Sequence, residues 1–203
     1  MSRYTGPRVR VMRALGAELP GLTRKKNERR PYPPGQHGQA RKKVSEYKLR
    51  LIEKQKLRMN YGVTERQLRN LMREATRAKG SPGVKLLELL ERRLDNVVFR
   101  AGFARTIPAA RQLIRHGFIR IAGRRVDIPS FRVVRGHAIQ LIKVAKKNVH
   151  VQAALADTSI ERPAWLSVDG EQGTIVVAAL PERDAVLVSV DIQKVVEHYA
   201  ASL

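Results

Sequence analysis

The arginines between Leu90 and Leu141 are the side chains whose type and spacing indicate a chemistry. Residues 101–150 contain eleven Lys or Arg and one acid, Asp127. A guanidinium group matches phosphate oxygens with two parallel hydrogen bonds and stacks on exposed bases. On a face that contacts only solvent, acidic residues would be interspersed among the basic ones. The near absence of acids therefore favours a surface that binds a polyphosphate. The candidate binding residues of this stretch are Arg92, Arg93, Arg100, Arg105, Arg111, Gln112, Arg115, His116, Arg120, Arg124 and Arg132.

Catalytic and metal chemistry find little support in the sequence. The chain has no cysteine, and its five histidines do not pair at ligand spacing. No phosphate-cradling loop, HExxH helix or GxSxG elbow occurs. Asp95 is the one acid that suggests catalysis, and we interpret it as a structural acid that pairs with Arg92 or caps a neighbouring loop. We therefore expect no catalytic residue, no metal and no cofactor.

The composition favours a protein that binds nucleic acid. Its 203 residues suggest one or two domains, and 43% apolar residues suffice for a packed core. The net charge of +22 indicates a nucleic acid first and an anionic membrane surface second. No apolar run is long enough to span a membrane, and the basic N-terminus lacks a signal core, so we expect a soluble intracellular protein.

Residues 1–43 are rich in Arg, Lys, Pro and Gly and predict a basic arm. Apolar residues are few and without lasting period, so the arm is expected to order only on an anionic partner. The alternative is a solubilising tail. The candidate RNA-binding residues of the arm are Arg3, Tyr4, Arg8, Arg10, Arg13, Lys25, Lys26, Gln36, His37, Arg41, Lys42 and Lys43.

Residues 44–89 predict a helical domain that is completed by about residues 180–203. Ser45 stands at an N-cap position, and Thr64 with Gln67 forms a capping-box pattern. Further candidate RNA-binding residues in this domain are Lys54, Lys56, Arg66 and Arg69.

Two apolar stripes extend this helical layer. A helix is predicted from Pro82 as far as Gly102, with proline in its tolerated first turn. A final helix is predicted over 191–199, where Val195, Val196 and Tyr199 form one stripe. We expect that stripe to pack onto the layer made by Leu68, Leu71, Leu86 and Leu90.

Residues 90–150 predict a separate unit of short helices followed by a small antiparallel sheet. Thr106 caps a helix that ends at Gly117, after which the apolar period changes toward two. Lys143 to Lys147 is interpreted as a basic exit, and residues 151–179 as a mixed extension of this unit. The fold class is α+β. The predicted strands are 118–121, 124–128, 131–134, 138–142, 165–168 and 174–178, and a helix is predicted near 149–155.

RNA is favoured over DNA as the polyanion. The helix that begins at Thr106 starts Ile-Pro-Ala-Ala, which offers little to read base edges in a major groove. Few aromatic residues are present for stacking along a single strand. Docking by shape and phosphate contacts onto folded RNA fits these residues better.

Several stretches resemble a known family of RNA-binding proteins. The segments LERRLDNVV (90–98), ARQLI (110–114) and VDIPS (126–130) resemble the RNA-binding domain named after the fourth protein of the small ribosomal subunit. That domain also occurs in RNA-modifying enzymes. The segments PGQHG (34–38) and YGVTERQ (61–67), with PAWL and VVEHY near the C-terminus, resemble the ribosomal protein family itself.

The resemblance implies a primary binder of small-subunit ribosomal RNA that nucleates assembly of the subunit body. It also implies contact with the fifth small-subunit protein, a role in translational accuracy, and a position near the channel through which messenger RNA enters. Arg41, Lys42 and Lys43 match the basic stretch near that channel. Many relatives carry a cysteine zinc site in the arm, which this cysteine-free chain lacks. Relatives often have Asn-Gly where this chain has Ala122-Gly123.

Two alternatives remain at this point, an RNA-modifying enzyme and a free-standing RNA chaperone. After Leu141 the chain holds no acid–base constellation, and a catalytic domain would need many more residues. Residues 151–203 carry a net charge of −5 and should turn away from RNA. We expect their acids to meet a basic protein, and the candidate protein-contact residues are Asp184, Asp191 and Glu197. The expected location is the cytoplasmic ribosome, with an organellar ribosome as the alternative.

Overall fold

A computed structural model describes residues 4–40, 43–157, 159, 161–182 and 186–200. The described residues form two compact units. Unit 1 consists of those up to Leu87 and those from Val186 onward, and unit 2 consists of those from Glu88 to 182. The division falls inside one helix, and each unit is described by itself.

Most of unit 1 is helical. It contains α1 (Arg8–Leu15), α2 (Glu46–Asn60), α3 (Glu65–Arg77), the first part of α4 (Pro82–Glu91), and α9 (Ile192–Ala200). Unit 2 contains the end of α4, then α5 (Leu94–Arg100), α6 (Ile107–Arg115), α7 (Lys143–Lys146), α8 (Val149–Leu155) and the strands β1 (Ile119–Ile121), β2 (Arg124–Arg125), β3 (Ala138–Leu141), β4 (Leu166–Asp169) and β5 (Thr174–Val177). The predicted α+β class is confirmed. No helix in the described residues is long and apolar enough to cross a membrane.

The helix starts follow from local capping. Ser45 Oγ accepts a hydrogen bond from Lys48 N (3.3 Å) at the start of α2. At α3 the capping box is complete, because Thr64 N donates to Gln67 Oε1 (3.0 Å) and Gln67 N donates to Thr64 Oγ1 (3.3 Å). Thr106 caps α6 with a single bond, in which its Oγ1 accepts from Ala109 N (3.4 Å). Each cap satisfies amides that have no partner inside the helix and typically contributes about 1 kcal/mol.

The final helix α9 returns to the helical layer. Ile192, Val195 and Tyr199 are buried along one side of it. The main partner of α9 is α2, with a smaller contact to α3. The packing of the last helix onto unit 1 is thus as predicted, but its principal partner differs from the predicted leucine layer.

A polar network joins α9 to α2 and α3. Tyr199 Oη donates to Glu65 Oε1 (2.8 Å), and Lys54 Nζ lies 3.0 Å from Glu65 Oε2. Partial burial by itself raises the pKa of Glu65, but the hydrogen bonds from Tyr199 and Lys54 outweigh it and hold that pKa below its ordinary value. Burial and the bond to Glu65 raise the pKa of Tyr199, so its hydroxyl stays a donor.

Residues 8–22 correct the prediction for the arm. They form α1 and a small apolar cluster in which Met12, Leu19 and Leu22 are buried with Val188. The amide of Gly21 donates to the buried Asn60 Oδ1 (2.9 Å), which fastens this segment to the end of α2. The sequence did not predict this helix, because residues that its apolar side packs with, Met59, Val188 and Val190, lie far along the chain.

A second correction concerns the helix predicted from Pro82 to Gly102. It is two helices, α4 and α5, separated at Arg92 and Arg93. Arg93 adopts an extended backbone (φ −68°, ψ 137°) and forms an isolated bridge with Arg132. The apolar pattern of a helix cannot predict this break, because the break is caused by pairing with Arg132, far along the chain.

The sheet of unit 2 has five antiparallel strands in the order β2-β1-β3-β5-β4. Ile119, Ile139 and Ile175 are fully buried and form the apolar face of the sheet. The predicted strand at 131–134 is not part of it and pairs only through the bridge at Arg132. The predicted basic exit at Lys143 to Lys147 instead forms the short helix α7.

The β1–β2 turn is strained at Ala122. Both turn residues have positive φ, 48° at Ala122 and 77° at Gly123. A two-residue turn of this kind suits the right-handed twist of a hairpin, and Asn-Gly is its preferred sequence. Glycine adopts the left-handed region without cost, whereas alanine places its Cβ near the following carbonyl.

Replacing Ala122 with Asn should stabilise unit 2 by about 0.5–1 kcal/mol, because asparagine tolerates the left-handed region better than alanine. Urea unfolding followed by the fluorescence of Trp165, the single tryptophan and a buried residue of unit 2, measures this change. The matched control is Ala153→Asn at an exposed position of α8, which should be neutral or slightly destabilising. Equal changes in the free energy of unfolding for the two variants would contradict backbone strain at Ala122.

Unit 1 should lose stability in acid through Glu65. Since the folded state holds the pKa of Glu65 below its ordinary value, the stabilisation is complete above that ordinary pKa and is lost as the pH falls through the lower folded pKa. Amide exchange in α9 between pH 3 and 7, compared with Glu65→Gln, measures the loss. Parallel pH curves for the two proteins would refute this assignment.

Candidate nucleic-acid interface

Asp95 is a buried acid of unit 2 and is 1% exposed. Arg93 donates to it from Nε (3.1 Å to Oδ1) and from Nη2 (2.9 Å to Oδ2). Arg111, on α6, donates from Nε to Oδ2 (2.7 Å), and the amide of Asn96 donates to Oδ1 (3.0 Å). The structural interpretation of Asp95 is confirmed, but its partners are Arg93 and Arg111 rather than the predicted Arg92.

The start of α5 is also tied to the segment before β3. The amides of Leu94 and Asp95 donate to the carbonyls of Phe131 (2.8 Å) and Pro129 (3.1 Å). Arg92 donates from Nε to Val133 O (3.0 Å). Through these bonds Asp95 sets the position of both α6 and the loop that leads to β3.

A second buried polar group lies at the α4–α5 junction. Asn96 Nδ2 donates to the carbonyl oxygen (3.1 Å) and the carboxylate (2.8 Å) of Glu91. The same carboxylate lies 3.8 Å from Arg100 Nε, and all three residues are buried. Because buried charges need partners, this group serves the packing of unit 2.

Two predicted RNA-binding arginines are therefore corrected. Arg93 and Arg100 are 5% and 4% exposed, and their guanidinium groups lie against buried carboxylates. Arg92 and Arg111 are only partly exposed, and each already pairs with a carboxylate, Arg92 with Glu88 (2.9 Å). A count of charges in the sequence cannot distinguish buried arginines from exposed ones, whereas the structure can.

Four exposed arginines of unit 2 lie at the end of α6 and on the β1–β2 hairpin. Arg115, His116, Arg120, Arg124 and Arg125 are all exposed, and we call this set the arginine surface. Among the described residues none of its four arginines lies within ion-pairing distance of a carboxylate. Arg120 and Arg125 are direct cross-strand partners. Like charges placed opposite each other are destabilising unless an anion lies between them.

Arg125 connects the two parts of this surface and was not among the candidate binding residues. Its guanidinium lies against Gly117, where a Cβ would overlap the Nε and Cζ atoms. Gly117 has φ +75° and closes α6, so the arginine reaches the carbonyl end of that helix. A cation is favoured there by the helix dipole. The available signal was Gly117, which directly follows the basic end of α6 and stands shortly before Arg120.

The remaining predicted residues of unit 2 lie outside this surface or beside it. Arg105 is exposed and lies 3.5 Å from Asp157. Gln112 is exposed on α6, and Arg132 is exposed in the loop before β3.

In unit 1 the predicted residues also divide by burial. Lys54 is 6% exposed and pairs with Glu65, so its prediction as an RNA contact is corrected to a structural ion pair. Lys56 is bound to Glu53 (2.7 Å). Arg66 and Arg69 are exposed on α3.

The arm uses two of its arginines to fold on itself. Arg13 donates from Nε to the carbonyls of Arg30 (3.1 Å) and Tyr32 (3.0 Å), and its guanidinium lies 5.2 Å from the Tyr32 ring centre. Arg8 donates to Leu22 O (3.3 Å). Arg3, Arg41 and Lys42 lie outside the described residues. The exposed predicted residues of the arm are Tyr4, Arg10, Lys25, Lys26, Gln36, His37 and Lys43.

The predicted protein-contact acids take part in unit 1 itself. Asp191 Oδ1 accepts from the amides of Gln193 (3.2 Å) and Lys194 (3.4 Å), so it caps α9. The hydrogen bond from the Lys194 side chain holds the pKa of Asp191 below its ordinary value. Glu197 lies 3.1 Å from Arg50 Nε. Asp184 lies outside the described residues.

Nothing in the arrangement favours metal chemistry. In the described ranges, no group of three or more His, Asp and Glu could hold a metal ion. The interface is instead a set of fixed cations, which suits phosphate oxygens.

Comparison with known proteins decides the family. Residues 3–91 match the family model described as "Ribosomal protein S4/S9 N-terminal domain", and residues 92–139 match the model described as "S4 domain". "Small ribosomal subunit protein uS4" of Methylobacillus flagellatus is 53% identical over 205 residues, covering 100% of both chains. The chain belongs to the uS4 family. The uS4 protein of Rippkaea orientalis is 54% identical and the uS4B protein of Nitrosomonas europaea 50%, each over 98% of both chains.

Family membership decides against one of the two alternatives left open by the sequence. The uS4 relatives are named as ribosomal proteins and not as enzymes, so the RNA-modifying enzyme is rejected. The S4 domain match covers α5, α6, the β1–β2 hairpin and the start of β3, which includes the whole arginine surface.

Removing the Asp95 carboxylate should destabilise unit 2 strongly. Asp95→Ala leaves the buried guanidinium of Arg93 unpaired and releases Arg111, which should cost about 3–5 kcal/mol. Urea unfolding followed by Trp165 fluorescence measures the loss. The control Asp127→Ala removes an exposed acid of the same unit and should change stability by less than about 0.5 kcal/mol. Similar values for the two variants would contradict a central role for Asp95.

Proposed function

We propose that this chain is a structural constituent of the small ribosomal subunit that binds small-subunit ribosomal RNA through the arginine surface. The observation that carries the proposal is the placement of four exposed, carboxylate-free arginines within the S4 domain of a uS4-family chain. The function is binding and not catalysis.

Binding follows from fixed positive charge on a packed unit. Arg120 and Arg125 face each other across two strands, and Arg125 rests against the end of α6. An RNA phosphate near them relieves their repulsion and releases counterions. Because the backbone beneath them is held by the sheet and by Asp95, little backbone conformational entropy is lost on binding.

The finer roles are proposed from the resemblance and the charge distribution. The chain nucleates assembly of the subunit body as a primary RNA binder and acts in translational accuracy with the fifth small-subunit protein. Arg41, Lys42 and Lys43 lie near messenger RNA at its channel. Acidic residues of the C-terminal part of the chain contact the protein partner, with Asp184 and Glu197 as separate candidates, since acids are repelled by RNA. The location is the cytoplasmic ribosome.

Asp191 is the weaker candidate for the protein contact because it caps α9. Glu197 is 43% exposed in its side chain and pairs with Arg50 at the surface. A basic partner can share or replace that pairing at little cost, since an exposed ion pair is worth about 0–1 kcal/mol.

Replacing exposed arginines should weaken RNA binding and lower its salt dependence. Arg115→Ala and Arg124→Ala should each cost about 1–3 kcal/mol of binding free energy if each removes a charge-assisted phosphate contact. Each should also make the slope of log affinity against log salt shallower by about 0.7–0.9. Filter binding of the purified protein to small-subunit ribosomal RNA, over a salt series at constant magnesium, gives both quantities.

The matched control is Lys194→Ala, which removes one positive charge from α9, where it pairs with Asp191 (3.1 Å). Its slope should stay that of the unchanged protein. Equal slopes for all three variants would show that the arginine surface does not carry the binding.

A further inference from the structure

Two short helices of unit 2 present basic and apolar side chains outside the arginine surface. Lys143, Val144, Lys147, Val149 and His150 are exposed there, and we call this set the lysine–valine surface. We propose that it is a second contact with ribosomal RNA. The inference rests on the proposed function and extends it from one surface to two.

Buried residues fix the orientation of this surface. Ala145 of α7 is buried, as are Val151 and Ala154 of α8. The Lys146 stem passes over Gly173, where a Cβ would lie 2.8 Å from its Cε. These contacts turn the same sides of α7 and α8 inward, so the five residues of the lysine–valine surface are held outward rather than placed there by a loose segment.

The outward side chains are unusual for a solvated face. Val144 and Val149 are 69% and 74% exposed. Lys143 and Lys147 stand four residues apart, a spacing at which like charges on a helix repel. Two exposed valines beside two repelling lysines reduce the stability of the free protein. An anion between the lysines relieves their repulsion, and sugar or base surface of the same RNA removes the valines from water.

No acid neutralises these lysines in the described part of unit 2. Lys146 uses its ammonium on the Glu171 carbonyl (3.5 Å), whereas neither Lys143 nor Lys147 has a carboxylate within ion-pairing distance there. His150 adds a group whose charge change lies near neutral pH. The eight residues 143–150 contain three lysines, one histidine and no acid. This charge pattern suits phosphate.

The lysine–valine surface is connected to the arginine surface through the sheet. Ile119 of β1 pairs with Leu141 of β3, and the Ile142 amide donates to Phe118 O (3.1 Å). Phe118 directly follows Gly117, on which Arg125 rests. The start of α7 therefore lies at the end of the sheet where α6 ends. An RNA that binds Arg115 and Arg125 has a continuous route toward Lys143.

RNA is favoured over a protein partner by charge and by continuity. A protein interface core is depleted of lysine, whereas phosphate contacts are made by Lys and Arg. The valines then exclude water beside the phosphate contacts. The occupant we assign is thus the ribosomal RNA already bound by the arginine surface.

Site-directed cleavage tests this assignment, since the chain has no cysteine and a single one can be introduced anywhere. Val144→Cys carries a tethered iron reagent that produces hydroxyl radicals in the assembled small subunit. Asp127→Cys, near the hairpin, probes the arginine surface, and Ser167→Cys, exposed on β4, is the control. The expected result is distinct RNA cuts from positions 144 and 127 and none from position 167.

The outcomes separate the two proposals. Cuts from position 127 without cuts from position 144 overturn the second contact and leave the proposed function in place. Failure of the protein to bind the RNA, or cuts from position 144 only, counts against the arginine surface. Equal cuts from positions 144 and 167 overturn the assignment of a specific surface.

Affinity gives an independent test on the full chain. The double variant Lys143→Ala with Lys147→Ala should weaken binding to small-subunit ribosomal RNA by roughly tenfold or more and make the salt slope shallower by about 1.4–1.8. Lys194→Ala is again the control. Unchanged affinity and an unchanged salt slope in the double variant would refute the proposal.

Discussion

The buried carboxylate of Asp95 is the interaction on which unit 2 depends. It binds Arg93, next to the break between α4 and α5, and Arg111, in the middle of α6. The break lets the Arg93 backbone meet Arg132 and brings the loop before β3 against α5. α6 directly precedes β1 in the chain, and β3 lies beside β1 in the sheet. The position of the β1–β2 hairpin therefore follows from these contacts.

The arginines of unit 2 therefore serve two physical purposes. Arg93 and Arg100 are buried and compensate buried carboxylates, whose desolvation would otherwise oppose folding. Arg115, Arg120 and Arg124 are exposed and uncompensated, which keeps their charge available to phosphate. The same residue type suits both purposes because a guanidinium is always charged and binds two oxygens at once. Unit 1 repeats the division with Lys54, which is buried against a carboxylate.

Features set by neighbouring residues could be predicted from the sequence. The caps at Thr64 and Thr106 each depend on residues no more than three positions apart, and both are present. Features set by distant partners could not. The break at Arg92 depends on Val133, forty-one residues away, and α1 depends on packing with Val188. For the same reason the sequence identified a basic interface but could not separate its exposed arginines from its buried ones.

Arginine-specific chemical modification, read by mass spectrometry with and without small-subunit ribosomal RNA, tests this division most directly. The account predicts that Arg115, Arg120 and Arg124 react in the free protein and are protected by RNA. Arg93 and Arg100 should stay unreactive in both states, because their guanidinium groups are buried. Reaction of Arg93 or Arg100 in the free protein with protection by RNA, or equal reactivity of the exposed three in both states, would contradict it.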